Sequence, residues 1–341
     1  MRRRIVIVGG GIAGMEAAGQ LLGLGYCPVI VERCSSLGGN VAHWHKLFPD
    51  LLPADRLVRG LVEGCSGAEL HLSAEIASVV PFAEGYSITL SDGAEIFASH
   101  IIIATGFELF AAERKEEYGY GIYDRVVTNG DLERWFGGDS SVSIDPARLA
   151  AIGFVHCVGS RDEKVGNGQC SKVCCITAIK QAIEMKRLCP SAQIYCFYMD
   201  LRLFGRHFED FYTVAQRDCG VRFIRGRVSE VSENIESRVV VKAEDTLAGR
   251  PIKVTLDLLV LMSGMSCNSY GVKTARQIGL PIDSDGFLQS RDNIGSVICS
   301  PRERVYYAGA CTGAKSIPET LAEARAVALA IDLDIKHSYG L

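Results

Sequence analysis

The sequence predicts an α/β fold built on parallel sheets, and three observations carry that expectation. Short apolar strands alternate with helix-compatible stretches, a glycine-rich turn joins the first strand to the first helix, and a second strand-to-turn unit recurs in mid-chain. A length of 341 residues suits two domains. Apolar residues make up 48% and charged residues 22%, as in ordinary globular proteins. The formal net charge of −4 lacks a basic footprint and argues against nucleic acid as a partner.

The start, Met1-Arg2-Arg3-Arg4 followed by Ile5-Val6-Ile7-Val8, mimics a signal peptide, but Gly9-Gly10-Gly11 cuts the apolar run short. Arg4 to Val8 therefore reads as a strand, Gly9 to Gly14 as a tight turn, and Met15 to Leu24 as a helix. Gly9 permits the turn, and Gly11 lets backbone N–H groups, those of Ile12 and Ala13 among them, approach a pyrophosphate. Gly14 allows close packing of helix on strand, with the positive helix end toward the phosphates. A second strand, Pro28 to Val31, delivers Glu32, an acidic side chain placed to accept hydrogen bonds from an adenosine ribose. A glycine triplet alone reads as a flexible turn; its flanking strands and Glu32 make it a dinucleotide site.

No stretch approaches the roughly 18–20 apolar residues that cross a bilayer, so no direct membrane span is expected. The 13 cysteines, with no export signal, point to a reducing cytoplasm and to metal or redox chemistry rather than a disulfide framework.

In mid-chain, a strand at Ile152 to His156 runs into Cys157-Val158-Gly159-Ser160-Arg161, which lacks the three-glycine spacing of a phosphate cradle. The following loop ends in Cys170-Ser171-Lys172-Val173-Cys174-Cys175. With Cys157 it sets four thiols near the start of a helix, Ile176 to Leu188, whose buried face is expected at Ile176, Ile179, Ile183 and Leu188. Four thiolates suit a cubane iron–sulfur cluster. A zinc tetrad and inert core cysteines stay open at this point. A catalytic dithiol would separate its cysteines by two residues, whereas Cys174 and Cys175 are adjacent and three residues separate Cys170 from Cys174. The remaining cysteines, Cys311 included, share no spacing and read as small packing residues; His43 and His45, beside the second glycine pair, are placed to line a cofactor, and a loop or polar-rim role is the plainer reading. Near the end, Gly309 closes a strand and Ser316-Ile317-Pro318-Glu319 opens a helix, with Pro318 in a first turn that needs no N–H.

Four segments share a wider likeness. Glu32-Arg33 leading to Leu37-Gly38-Gly39-Asn40, the strand Glu75 to Val80, Ile101 to Gly106, and Val305 to Ala310 resemble the two-dinucleotide-binding-domain flavoproteins of the FAD/NAD(P)-linked disulfide reductase type. The resemblance implies two Rossmann-like domains: an FAD domain from residues 1–148 and 264–341, interrupted at 149–263 by a nicotinamide-type domain that has lost its nicotinamide site. It implies FAD held by Gly9, Gly11, Ile12, Ala13, Gly14, Glu32, Arg33, Gly39, Asn40, Lys46, Ile76, Ala104, Thr105, Gly106, Gly309, Ala310, Ser316, Ile317, Pro318 and Thr320.

A narrower likeness rests on Cys157 to Arg161, on Cys170 to Cys175 with Ala178-Ile179-Lys180-Gln181-Ala182, and on Lys46-Leu47-Phe48-Pro49. These are similar to the A-type flavoprotein of heterodisulfide reductase. That implies a [4Fe–4S] cluster on Cys157, Cys170, Cys174 and Cys175, and Lys180 beside the flavin, where it tunes reduction; the plainer reading of Lys180 is a solvated helix lysine. The chain has no ferredoxin-like cysteine run, and Asp50-Leu51-Leu52-Pro53 stands where the long methanogen form carries cluster cysteines, so one cluster is expected. The compact form most resembles the A-like subunit of the sulfur oxidisers' heterodisulfide-reductase-like complex, with the quinone-interacting oxidoreductase of sulfate reducers as rival. The resemblance implies B-like and C-like partner subunits, a homodimer, and electron transfer in sulfur-compound oxidation. A self-sufficient NAD(P)H-dependent flavoprotein is the alternative.

Overall fold

The computed structural model describes residues 3–338; Met1 and Arg2 of the basic start lie outside the described residues. In chain order the first elements are β1 (Arg4–Val8), α1 (Ile12–Gly23), β2 (Cys27–Glu32), β3 (Lys46–Leu47), β4 (Leu52–Pro53), α2 (Ala54–Gly64), β5 (Glu69–Leu72), β6 (Ile76–Phe82), β7 (Gly85–Leu90), β8 (Glu95–Ala98), β9 (His100–Ile103) and β10 (Phe107–Leu109). Next come β11 (Val126–Thr128), α3 (Asn129–Phe136), β12 (Ala151–Val158), α4 (Cys174–Leu188), β13 (Gln193–Tyr198), α5 (Phe208–Arg217) and β14 (Arg222–Arg225). The last are β15 (Val228–Glu233), β16 (Val239–Asp245), β17 (Arg250–Leu256), β18 (Leu258–Ser263), β19 (Met265–Cys267), α6 (Ser269–Ile278), β20 (Val305–Tyr307) and α7 (Ile317–Ser338).

The chain divides into two compact units. Unit 1 takes the segments up to Ala42, Ala54–Glu108, and Ser266 onward; unit 2 takes His43–Pro53 and Leu109–Met265. Residues 109–148, expected from the sequence to belong to the FAD domain, fall in unit 2 because β11 pairs in parallel with β18, Val126 opposite Leu259.

Unit 1 is built on a five-stranded sheet of order β20-β9-β1-β2-β5, parallel throughout. Ile5, Val6, Ile7 and Val8 of β1 have no exposed surface, as befits a central parallel strand covered on both faces. The helix α1 starts at Ile12, three residues earlier than the composition suggests, because Gly11 already serves as its N-cap. It buries Met15, Ala17, Ala18 and Leu21 and packs against α7. An antiparallel meander, β6-β7-β8, closes the other side of the core with Tyr86, Ile88, Leu90 and Ile96.

Unit 2 repeats the plan with a parallel sheet of order β11-β18-β12-β13-β14 and a second antiparallel meander, β15-β16-β17. Phe154 on β12 sits between Val260 and Cys196 in register and is fully buried. The helix α4 covers this sheet with Ile176, Ile179 and Ile183, all without exposure. Leu188, expected on that face, is 52% exposed, because it lies in the last turn, where the helix ends against Cys189. Among the described residues no helix is long and apolar enough to cross a membrane.

Candidate functional site

In unit 1 the glycine turn is fixed by contact rather than by preference. Gly9 has φ +113°, and a Cβ there would lie 2.3 Å from the Ala104 carbonyl oxygen; at Gly14 it would lie 1.9 Å from that of Gly9. No larger residue fits either place. Glu32, buried at the end of β2, accepts hydrogen bonds from Gly10 N at 2.6 Å and Cys34 N at 2.8 Å, so it holds the turn. Gly38 N donates to Gly10 O at 2.9 Å, and Gly39 (φ +58°) would bring a Cβ within 3.0 Å of Gly11 Cα, so the second glycine pair closes over the first. The N-cap Gly11 offers α1 no side-chain cap, which leaves the first-turn N–H groups of Ile12, Ala13 and Gly14 open to an anion.

The other segments of unit 1 frame this turn. Ala104 N donates to Val8 O at 2.8 Å, the Thr105 hydroxyl is buried without a partner, and Gly106 turns the chain at φ +67°. Asn40 donates through Nδ2 to Phe107 O at 2.9 Å. Arg33 lies 3.7 Å from Glu108 and stacks over Tyr270, whose hydroxyl accepts from Ile76 N at 3.2 Å. At the closing turn, Gly309 (φ +77°) donates to Glu323 Oε2 at 3.0 Å, and Ala310 and Cys311 follow in a buried 3-10 turn. Ser316 and Glu319 cap one another ahead of Ile317 and Pro318, and Thr320 N donates to Ser316 O at 3.0 Å.

Sequence reasoning missed Lys315 and Glu323. Lys315 donates to Gly309 O at 2.9 Å and lies 3.3 Å from Glu323, whose carboxyl is pushed up by burial. Cys311 is buried, donates to Ile103 O at 3.2 Å, and is pushed up by burial to about 12, the state of a packing residue.

Unit 2 has no such cradle after β12. Cys157, near the end of β12, adopts φ +60° where the pairing with β18 shifts register, and Arg161 (φ +54°) and Lys172 (φ +60°) in the loop that follows are also left-handed. Such conformations persist only where their surroundings impose them. Here Arg161 N donates to Gln169 O at 2.9 Å, Asn167 Nδ2 donates to Gly159 O at 2.8 Å, and Met265 N donates to Ser171 Oγ at 2.8 Å. The buried Lys115 pins the loop through Asp162 at 2.8 Å.

Three of the four singled-out thiols, Cys157 at the end of β12 and Cys174 and Cys175 at the start of α4, are buried in one core cluster of unit 2. The neighbouring thiols push that of Cys174 well up, while Cys174 pulls those of Cys157 and Cys175 down. Cys170 is half-buried in the loop before α4 and accepts from Lys172 N at 3.3 Å. The soft thiols fit a thiolate-ligated centre in kind, although among the described residues no three His, Cys, Asp or Glu side chains are gathered into a metal-binding group. His156, buried beside them, has neither ring nitrogen in a well-formed hydrogen bond. Burial pulls its imidazole down, but Cys175 and Cys196 outweigh that and raise it. Its position between two cysteines could not be read from spacing.

Lys180 is not a solvated helix lysine. It is 2% exposed, pairs with Glu133 and, at 3.3 Å, with Glu184, and donates to Lys46 O at 3.0 Å. Gln181 donates to Glu133 at 2.7 Å; Lys46 and His45 reach Glu184 at 3.5 and 3.1 Å. The Lys180 charge is thus balanced within unit 2. Lys46 belongs to this network, and so does His45, expected from the sequence to be a loop residue.

Residues 7–64 match the family model described as an NAD(P)-binding Rossmann-like domain. The chain is 30% identical to the A-type iron–sulfur component of the CoB–CoM heterodisulfide reductase of Methanocaldococcus jannaschii, over 96% of this chain and 64% of that protein. The chain is a homologue of this heterodisulfide reductase component. To the A-type component of the H2/formate:CoB–CoM heterodisulfide,ferredoxin reductase of Methanococcus maripaludis this homologue is 39% identical, over 70% of its own length and 37% of that protein. It thus spans about two thirds or less of the curated relatives it matches. In fold it resembles the thioredoxin reductase of T. acidophilum (TM-score 0.66, 17% identity, 98% and 99% of the two chains). It also resembles the sulfide:quinone oxidoreductase of Aquifex aeolicus (TM-score 0.65, 16% identity, 98% and 77%).

Proposed function

We propose that this protein is an oxidoreductase subunit that binds FAD in unit 1 and a [4Fe–4S] cluster in unit 2, passing electrons to partner subunits of a heterodisulfide-reductase-like complex. The observation that carries this reading is the shared burial of Cys157, Cys174 and Cys175 at the strand-to-helix turn where a dinucleotide fold normally has its phosphate cradle. Cys170, on the same loop, is the fourth ligand. When bound, FAD supplies two-electron and one-electron exchange and the cluster supplies one-electron exchange.

The chain's own residues position and bias those groups. The open first turn of α1 binds the pyrophosphate, and Glu32 holds both the glycine turn and the ribose. The N-terminus of α7, capped by Ser316 and Glu319, presents its dipole at the closing turn. In unit 2, ion pairs with Glu133 and Glu184 fix the orientation of Lys180. The partners are B-like and C-like subunits, the assembly contains two copies of this chain, its place is the cytoplasm, and the pathway is sulfur-compound oxidation.

Protein purified without oxygen should carry FAD, iron and acid-labile sulfide, and Cys174→Ser should lose the iron while keeping the flavin. Zinc in place of iron would overturn the cluster. Flavin bleaching by NAD(P)H with no partner present would overturn the role as a conduit.

A further inference from the structure

A cleft lies at one edge of the parallel sheet of unit 2. The strands β13 and β14 end level with each other, Tyr198 opposite Arg225, at one edge of the parallel sheet. Just past their carboxyl ends a cleft of about 350 Å³ is lined by Met199, Arg225, Gly226, Arg227 and Thr246.

Its walls are built, not incidental. Gly226 N donates to Tyr198 O at 2.8 Å, and a Cβ on Gly226 would lie 1.7 Å from Glu244 O, so only glycine lets the strand end press onto β16. Thr246 is tied in by its N–H and its hydroxyl, both donating to Arg225 O at 2.8 Å. Arg225 and Arg227, on either side of the bend at Gly226, both line the cleft. Each guanidinium is steadied by one backbone oxygen: Arg225 Nε by Met199 O at 3.3 Å, Arg227 Nη2 by Arg161 O at 3.0 Å. Neither forms an ion pair with a carboxylate of the described residues. The nearby Asp200 is taken by Arg161 and, at 3.5 Å, by Arg202.

Two steadied guanidiniums with N–H groups to spare match the several oxygens of one tetrahedral dianion better than a planar carboxylate. The cleft is larger than a bare phosphate needs, and Met199 gives it an apolar wall. We infer that this cleft binds a small phosphorylated molecule, its phosphate held by Arg225 and Arg227 and its body against Met199.

Titration calorimetry on the protein as purified, with its cofactors in place, tests this with AMP, adenosine and inorganic phosphate. AMP should bind saturably, adenosine not at all, and phosphate more weakly than AMP. Arg225→Gln and Arg227→Gln should each weaken AMP about tenfold or more, and Arg225→Lys, which keeps charge but loses the fork, should weaken it less. If Arg227→Gln disturbs the loop at Arg161, Arg225→Gln and Arg225→Lys alone decide the matter. An AMP affinity untouched by either Arg225 variant, or phosphate binding as tightly as AMP, overturns the proposal.

Discussion

Units 1 and 2 set the same strand, turn and helix in the same order, yet they solve the turn differently. Between β1 and α1 the turn is all but side-chain-free, and its glycines are locked by backbone approaching backbone. Between β12 and α4, past a left-handed Cys157 at the end of β12, the turn is a long loop with two left-handed non-glycine residues, held by side chains; α4 then carries a buried lysine paired with Glu184 on the same helix and with Glu133 on α3. A turn emptied of side chains leaves N–H groups for an anion; a turn filled with them brings its own ligands. The same architecture thus presents different chemical groups at one corner, backbone N–H in one unit and thiols in the other.

That contrast can be broken where it is strongest. Lys180→Met strands the Glu133 and Glu184 carboxylates in unit 2 and should cost about 3–5 kcal/mol in urea unfolding. Adding Glu133→Gln should recover part of that loss, and a double variant no more stable than the single one would show that the network is not coupled. In unit 1, Gly14→Ala forces a methyl group onto the Gly9 carbonyl and should cost about 3 kcal/mol along with flavin binding. By contrast, Gly166→Ala in the unit 2 loop, where a Cβ meets open space at φ +75°, should cost only about 1 kcal/mol.

The loop itself has a pH signature. Burial raises Asp162, but its hydrogen bond to Lys115 outweighs this and holds its carboxyl below the ordinary 3.8. Its stabilisation is therefore full above 3.8 and is lost as the pH falls through the lowered folded value. Lys115 is raised above its ordinary value by Asp162 and Glu117 against desolvation, so its share is full below 10.5 and is lost as the pH rises through the raised value. Asp162→Asn should cost about 2 kcal/mol at neutral pH, and its deficit against the native chain should close in acid. A deficit constant with pH would sink the assignment. The smallest effect is expected at α3, where Thr128 and Asp131 form a capping box: Thr128→Ala should cost about 1 kcal/mol and Thr128→Ser much less.

The sequence made the local parts of this fold legible and hid the distant ones. The glycine turn, Glu32, the strand at Ile152 and the helix after Cys175 all follow from neighbours in the chain, and the structure has each in place. The inward face of Lys180 was hidden because it depends on Glu133, a partner forty-odd positions away on α3. The unit boundary was hidden for the same reason: only the pairing of β11 with β18 assigns residues 109–148 to unit 2. The left-handed Cys157 was hidden because no composition rule places a cysteine there; the loop imposes it.

The interleaving of the two units also sets an order of events during synthesis. Every residue of unit 2 has been translated once Met265 is added, so this unit is free to close first. Unit 1 must wait for β20 to join β9 and for α7 to lie against α1. Until then the outer edge of β9 is an unpaired strand, and the nascent chain depends on its own last segment to cover it.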